Sequence, residues 1–487
     1  MFDGDRAERT LTGMREFFTG RQPALEPLAL FREMAASVPA YRAFLREHGV
    51  DPASVRELGQ VPLMTKTNYH QVYALPERCR GGRLDACDMV AVSSGSSGSP
   101  TVWPRSVLDE RAVAARFEQV FRDGFRAHER GTLAVVCFAL GNWVGGMYTA
   151  DSVRHLAAKG YPITVATAGN NVDEILRVVG ELGPLFEQVV LLGYPPFVKN
   201  VIDAGAARGL DWSAYRIKIV LAGEVFSEQW RDLVAARAGL GDPATDAASL
   251  YGTADAGVLG NETPLSVRIR RFLADRPEVA ARLFGDARLP TLVQVDPGSR
   301  CFEQVGDGTL AFTADGAVPL MRYHIADEGG VLGHAALLRL CREHGFEPGE
   351  GPEQPFVYVF GRSLFTVSFF GANVYPENVT VGLERPHVSD SVTGKFVLRT
   401  VEDADRDRHL SIVVELAPGV TASGSLAETI AGSIRTELLR LNSEFANYVP
   451  AESQTPRVAL RPMGDPEFFP PGVKHRYTQP TEPRAGG

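Results

Sequence analysis

Between residues 131 and 238 the chain alternates short apolar runs with amphipathic stretches. Thr132-Leu133-Ala134-Val135-Val136-Cys137-Phe138 is apolar almost throughout and of strand length, which predicts a strand covered on both faces. Residues 161–166, 187–192 and 217–222 repeat that pattern. Residues 152–159 predict a helix closed by Gly160, and Pro195-Pro196 suits the first turn of another. Ser227 is a good N-cap for a third helix, behind which Trp230, Leu233, Val234 and Ala238 recur at helical spacing. This alternation predicts an α/β fold: a mostly parallel sheet flanked by helices, with ligands outside the carboxyl ends of its strands.

Either side of this core the pattern changes. The first ninety residues read as helical and rather polar. Residues 285–319 are rich in Gly, Pro and Asp with short alternating pieces such as Leu310-Ala311-Phe312-Thr313, predicting a β-rich subdomain. Composition shifts again after Val357-Tyr358-Val359-Phe360-Gly361-Arg362, beyond which residues 411–416 read as a strand and 426–441 as an amphipathic helix. The expected division is a large N-terminal domain over 1–363, a small α+β domain over 364–479 and a Pro/Gly-rich disordered tail over 480–487.

Composition removes several function classes. The charge is −9, from 59 acidic against 50 basic residues with no large basic block, so nucleic acid is not an expected partner. No run of about 18 apolar residues occurs and the start lacks a signal-peptide core, so a cytoplasmic protein without a membrane partner is expected. The five cysteines form no Cys-x-x-Cys pair, which argues against both a disulfide scaffold and structural zinc.

Candidate chemistry begins at Ser93-Ser94-Gly95-Ser96-Ser97-Gly98-Ser99-Pro100. Two glycines free the backbone, so amide N–H groups and Ser hydroxyls can converge on an anion such as polyphosphate. A flexible linker has a similar composition. Met89-Val90-Ala91-Val92 before it and Trp103 after it favour a loop inside a domain. Spacing excludes the Walker-type loop, the dinucleotide fingerprint and the hydrolase nucleophile elbow.

The stretch resembles the phosphate-binding loop of the adenylate-forming superfamily, and its flanks resemble the phenylacetate–CoA ligase branch. Further matches follow in the family's order: the Pro-x-x-Thr-Lys turn at 62–66, Gly223-Glu224, Tyr251-Gly252-Thr253-Ala254-Asp255, Tyr323-His324-Ile325-Ala326-Asp327, Gly361-Arg362, Gly371-Ala372-Asn373-Val374-Tyr375-Pro376, and Lys474 after Pro470-Pro471-Gly472. The resemblance implies that Ser93 to Ser99 cradle the phosphates of ATP and that Gly223 and Glu224 border adenine. It likewise implies that Tyr251 stacks on adenine with Gly252 and Thr253 nearby, that Asp255 holds Mg²⁺, and that Asp327 takes the ribose hydroxyls. Arg362 would meet ribose or phosphate. Lys474 would be the catalytic cation, carried by a mobile C-terminal domain. Trp143, Tyr148 and Tyr194 are the candidate acid-pocket residues.

The chemical logic is coherent, because joining a carboxylate to AMP creates a leaving group that a thiol or amine can displace. The expected activity is therefore ATP-dependent activation of a small, aromatic carboxylic acid, with CoA as the default acceptor. An amine or other nitrogen acceptor is the alternative, and a nucleotide-binding relative without catalysis is the rival from another class. The branch suggests a homodimer by analogy alone. Three departures stand out: Ser99 replaces the usual Lys, Ala254 the usual hydroxyl residue, and Phe365 the usual hinge residue. Arg105 and Thr253 are the candidates to compensate for the first two.

Overall fold

The structure is a computed structural model that describes residues 24–85, 87–93, 101–286, 288–306, 308–362, 367–469 and 477–478. The described residues divide into two units: those within 1–91, 102–193 and 198–361 form the first, and those within 92–101, 194–197 and 362–487 the second.

The first unit is built on one eleven-stranded sheet. Its parallel part runs, in spatial order, through Ile163–Ala166, Thr132–Val136, Gln188–Gly193, Ile217–Ala222 and Ala247–Thr253. The strands Thr132–Val136 and Gln188–Gly193 are buried at every position, as their unbroken apolar character requires. The helix Glu228–Ala238 starts where expected: the Ser227 side chain accepts from Trp230 N at 3.1 Å, and Trp230, Val234 and Ala238 are buried. Another helix, Val144–Ala158, begins a full two turns earlier than the sequence suggests. Helix-weakening Gly145-Gly146 hides this start, yet a Cβ on Gly146 would stand 2.2 Å from the Ala139 carbonyl oxygen, so close packing demands the glycine.

The predicted β-rich region is continuous with this sheet. After Ala247–Thr253 the chain turns back as Gly257–Asn261, and from there the sheet continues through Thr291–Gln294, Phe356–Arg362, Leu320–Leu332, Thr309–Ala314 and Arg300–Gln304. The residues of Gly257–Asn261 are buried almost throughout, so the strand can pair on both edges and join the two halves. The N-terminal helices Pro27–Ser37 and Pro39–Glu47 pack Phe31, Tyr41 and Phe44 into a cluster with Tyr69, Phe312 and Tyr323. Met64 bridges to the Leu320–Leu332 strand through Met64 N to Arg322 O and His324 N to Met64 O.

The second unit contains a three-stranded sheet of Val392–Glu402, Arg408–Leu416 and Arg457–Arg461, with the helix Gly424–Leu441 capped by Ser423. The hairpin Val367–Phe369 and Ala372–Val374 precedes it. No helix among the described residues is long and apolar enough to cross a membrane.

Under the parallel strands lies a buried ion network. Arg231, 1% exposed, donates to Glu228 at 2.9 Å, to both oxygens of Glu262 at 2.8 and 2.9 Å, and to Ala247 O. Arg270 also bonds Glu228. Removing one partner leaves buried charge uncompensated. Arg231→Ala should therefore cost about 3–5 kcal/mol in urea unfolding; a loss below about 1 kcal/mol, the range of exposed pairs, would contradict this assignment.

Candidate active site

Strand direction brings the candidate residues to one edge of the sheet. All five parallel strands deliver their next loop at the same end, so Gly193, Gly223 and the segment after Tyr251 emerge together. Ala222 is opposite Leu250, which sets Gly223-Glu224 beside Tyr251-Gly252. Gly223 has φ +87°, a conformation that side-chain-bearing residues rarely adopt. The Glu224 side chain is buried.

At the end of the fifth strand Ala254-Asp255-Ala256 reverse the chain, with Thr253 opposite Gly257. Ala256 N donates to Thr253 Oγ1 at 3.1 Å. The Thr253 hydroxyl, the candidate substitute for Ala254, thus serves as an acceptor within the turn, and its proton has no acceptor among the described residues. Two guanidinium groups hold the turn's carbonyls: Arg105 donates to Ala254 O, and Arg300 to Ala256 O at 3.4 Å. Both are buried and form no ion pair among the described residues. Arg105, the candidate to replace the charge missing at Ser99, therefore holds the carbonyl of the residue before Asp255.

Asp255 is 7% exposed, and its Oδ2 accepts from the Tyr323 hydroxyl at 2.7 Å. Asp327 is equally buried, and its Oδ2 accepts from the Tyr251 hydroxyl at 2.6 Å. Tyr251 and Asp255 belong to one motif, Tyr323 and Asp327 to the other, so the two bonds cross. Two irregularities aim the second motif. The pairing of Leu320–Leu332 with Thr309–Ala314 shifts register twice, and the L-residues Arg322 (φ +45°) and Ala326 (φ +62°) adopt left-handed conformations there. Such bulges re-aim side chains, here Tyr323 and Asp327.

The Tyr323 ring is held edge-on between His70, 5.2 Å away, and Phe312, 5.7 Å away. His70 also packs on Trp103 at 4.5 Å, and Arg78 Nη1 donates to His70 Nδ1 at 2.8 Å. Nδ1 is therefore the acceptor and the ring is neutral. Burial, with repulsion from Arg78, Lys66 and Arg105, holds His70 well below the usual imidazole range. His70, Arg78 and Arg300 escaped the sequence reading, and Tyr323 entered it only as the first residue of its motif. For Tyr323 the signal was present: both motifs carry Tyr and Asp four residues apart.

Among the candidate acid-pocket residues, Trp143 is half-buried and precedes the first turn of Val144–Ala158. Tyr148 is 3% exposed, with the Arg105 guanidinium 5.6 Å from its ring centroid and a hydroxyl that finds no partner among the described residues. Tyr194 lies in the second unit, its ring 5.4 Å from that of Tyr448. Ser94, Gly95, Ser96, Ser97, Gly98, Ser99, Phe365 and Lys474 lie outside the described residues, and only the backbones of Ser93 and Arg362 are described.

No family profile matches the chain, and no protein of curated function matches its sequence. Solved structures do match its architecture. A 2-hydroxyisobutyryl-CoA ligase, solved with 2-HIB-AMP and CoA in its thioesterification state, aligns with TM-score 0.60 at 16% identity over 99% of this chain and 91% of its own. An open conformation of that ligase aligns with TM-score 0.54 at 15% identity over 93% and 89%. The amide bond synthetase McbA from Marinactinospora thermotolerans aligns at 0.49 and 15% over 94% and 84%. The chain thus shares the fold of that 2-hydroxyisobutyryl-CoA ligase. Within it, Tyr251, Asp255, Tyr323 and Asp327 are the residues of this chain that the structure joins into one constellation.

A pH prediction follows from His70. Its folded pKa is lowered, so below about 6.5 the unfolded chain takes up a proton that the folded chain refuses, and stability falls as pH falls. The stability difference between wild type and His70→Gln should shrink between pH 7.5 and 5.5, by up to ~1.4 kcal/mol per pH unit. Parallel pH profiles of the two proteins in urea unfolding would contradict it.

Proposed function

We propose that this protein activates a small carboxylic acid with MgATP as an acyl adenylate and passes the acyl group to CoA. The observation that carries the reading is the crossed Tyr251–Asp327 and Tyr323–Asp255 pairing at the carboxyl ends of the parallel strands. Asp327 offers a fixed carboxylate, whose lone pairs suit the two hydroxyls of a ribose. Tyr251 supplies an aromatic face beside Gly223-Glu224 for adenine. The acid's carboxylate attacks the α-phosphorus, the bond to the bridging oxygen breaks, and pyrophosphate leaves.

Asp255 suits Mg²⁺. No three His, Cys, Asp or Glu side chains converge as a metal cage among the described residues. A magnesium ion that retains waters and takes phosphate oxygens needs only one or two carboxylates. Asp255 is buried without an ion pair among the described residues, a costly state that a cation relieves. When bound, the metal would draw charge from the phosphate oxygens. The chain's part is to hold Asp255 in place and keep bulk water from it.

Lys474 is our candidate for the cation that offsets charge on the departing pyrophosphate. Its motif, after a Pro/Gly turn near the end of the chain, supports that role. Arg105 and Arg300 add positive potential behind the Asp255 turn, which supports phosphate binding despite Ser99. An aromatic acid is favoured by Trp143 alone of the three pocket candidates, since the Tyr148 ring already faces Arg105.

The test is exchange of labelled pyrophosphate into ATP across a panel of carboxylic acids, followed by thioester analysis with CoA. Acid-dependent exchange with thioester product is expected; nucleotide binding without any exchange would overturn the reading. Lys474→Ala should lower exchange by roughly 10²–10³-fold, the usual loss for one preorganised charge-stabilising donor. Thioester formation from supplied acyl adenylate should fall far less, and equal losses in both steps would refute the role of Lys474.

A further inference from the structure

The resemblance assigns tasks to the ring of Tyr251 and to the two aspartates; it says nothing of the two tyrosine hydroxyls. Those hydroxyls make the crossed bonds. Tyr323 is fully buried, with its ring fixed by His70 and Phe312 and its backbone neighbours tied to Met64 by two hydrogen bonds. Its O–H donates to Asp255 Oδ2 at 2.7 Å. A neutral phenol does not cancel the Asp255 charge, and Oδ1 accepts no hydrogen bond among the described residues. The carboxylate is thus oriented through one oxygen, with the other available to a cation.

Tyr251 does the same for Asp327 from the opposite strand. The arrangement has the geometry of a two-point brace. The Ala247–Thr253 strand contributes the donor for one aspartate and, four residues on, the other aspartate. Leu320–Leu332 contributes the complementary pair.

We propose that the hydroxyls of Tyr323 and Tyr251 are positioning groups, the first for the phosphate and metal end of the bound nucleotide and the second for its ribose. The proposal rests on the nucleotide-binding reading given above. It separates what the two hydroxyls do: Tyr323 acts on what Asp255 holds, and Tyr251 on what Asp327 holds. Both are positioning residues, since each acts through its aspartate.

The experiment is isothermal titration of the full chain with AMP in the absence of metal and with ATP across a magnesium series. Wild type is compared with Tyr251→Phe and Tyr323→Phe, each of which keeps its ring and loses only the hydroxyl. Tyr251→Phe should weaken AMP by roughly 5–30-fold, the range for a hydrogen bond to a charged group. Tyr323→Phe should leave AMP within about two-fold, the error of treating distant sites as independent. It should, however, raise the magnesium concentration for half-maximal ATP binding by roughly 5–30-fold. On an Asp255→Asn background, Tyr323→Phe should change the magnesium dependence by less than about two-fold, because the group it orients is gone. Equal weakening of both ligands in both variants would reduce the hydroxyls to general supports and overturn the proposal, as would wild-type behaviour in both. A wild type that binds neither AMP nor MgATP would instead defeat the nucleotide reading itself.

Discussion

The structure depends most on a change of direction in its sheet. Five parallel strands end at Thr253, and the three-residue turn Ala254-Asp255-Ala256 sends the chain back as an antiparallel strand that carries the rest of the sheet. That turn would present three carbonyls to the interior, and a buried carbonyl without a donor costs free energy comparable to a lost hydrogen bond. Arg105 and Arg300 satisfy two of them. The same turn carries Asp255, which the Tyr323 hydroxyl holds from the bulged strand. One local constraint, how to close this turn, thereby fixes the position of the Asp255 carboxylate.

The surrounding residues follow from it. A bulged strand with two left-handed L-residues costs energy that a regular strand would not, and such strain persists only where neighbours over-determine it. Here the neighbours are Met64 on the backbone, His70 and Phe312 on the Tyr323 ring, and Tyr251 on Asp327. The helical N-terminal segment, unremarkable in composition, is what supplies Met64 and His70. Its role is to hold the strand that bears Tyr323.

Much of this architecture was legible in sequence where one physical effect dominates. The strand Ile217–Ala222 and the Ser227 cap were read correctly because continuous burial and capping both leave plain residue signatures. The start of Val144–Ala158 was missed because its glycines serve packing against Ala139 and lower helix propensity. The β-rich region was legible in its short alternating pieces, whereas its continuity with the parallel strands was not, since pairing between strands distant in sequence leaves no local mark. Motif order brought Tyr251, Asp255 and Asp327 to notice. The crossed bonds, the bulges at Arg322 and Ala326 and the placement of Arg105 are products of tertiary structure. With 16% identity to a ligase aligned over nearly the whole chain, the fold is carried by burial pattern and volume more than by particular residues.

The central claim is that the crossed tyrosine–aspartate pairs form the seat of an adenine nucleotide. The most direct measurement is a crystal structure of the protein with MgATP. The account predicts the ribose hydroxyls on Asp327 and the phosphates directed to Asp255, with both tyrosine–aspartate bonds intact. A nucleotide bound elsewhere, or one that reaches neither aspartate, would contradict it.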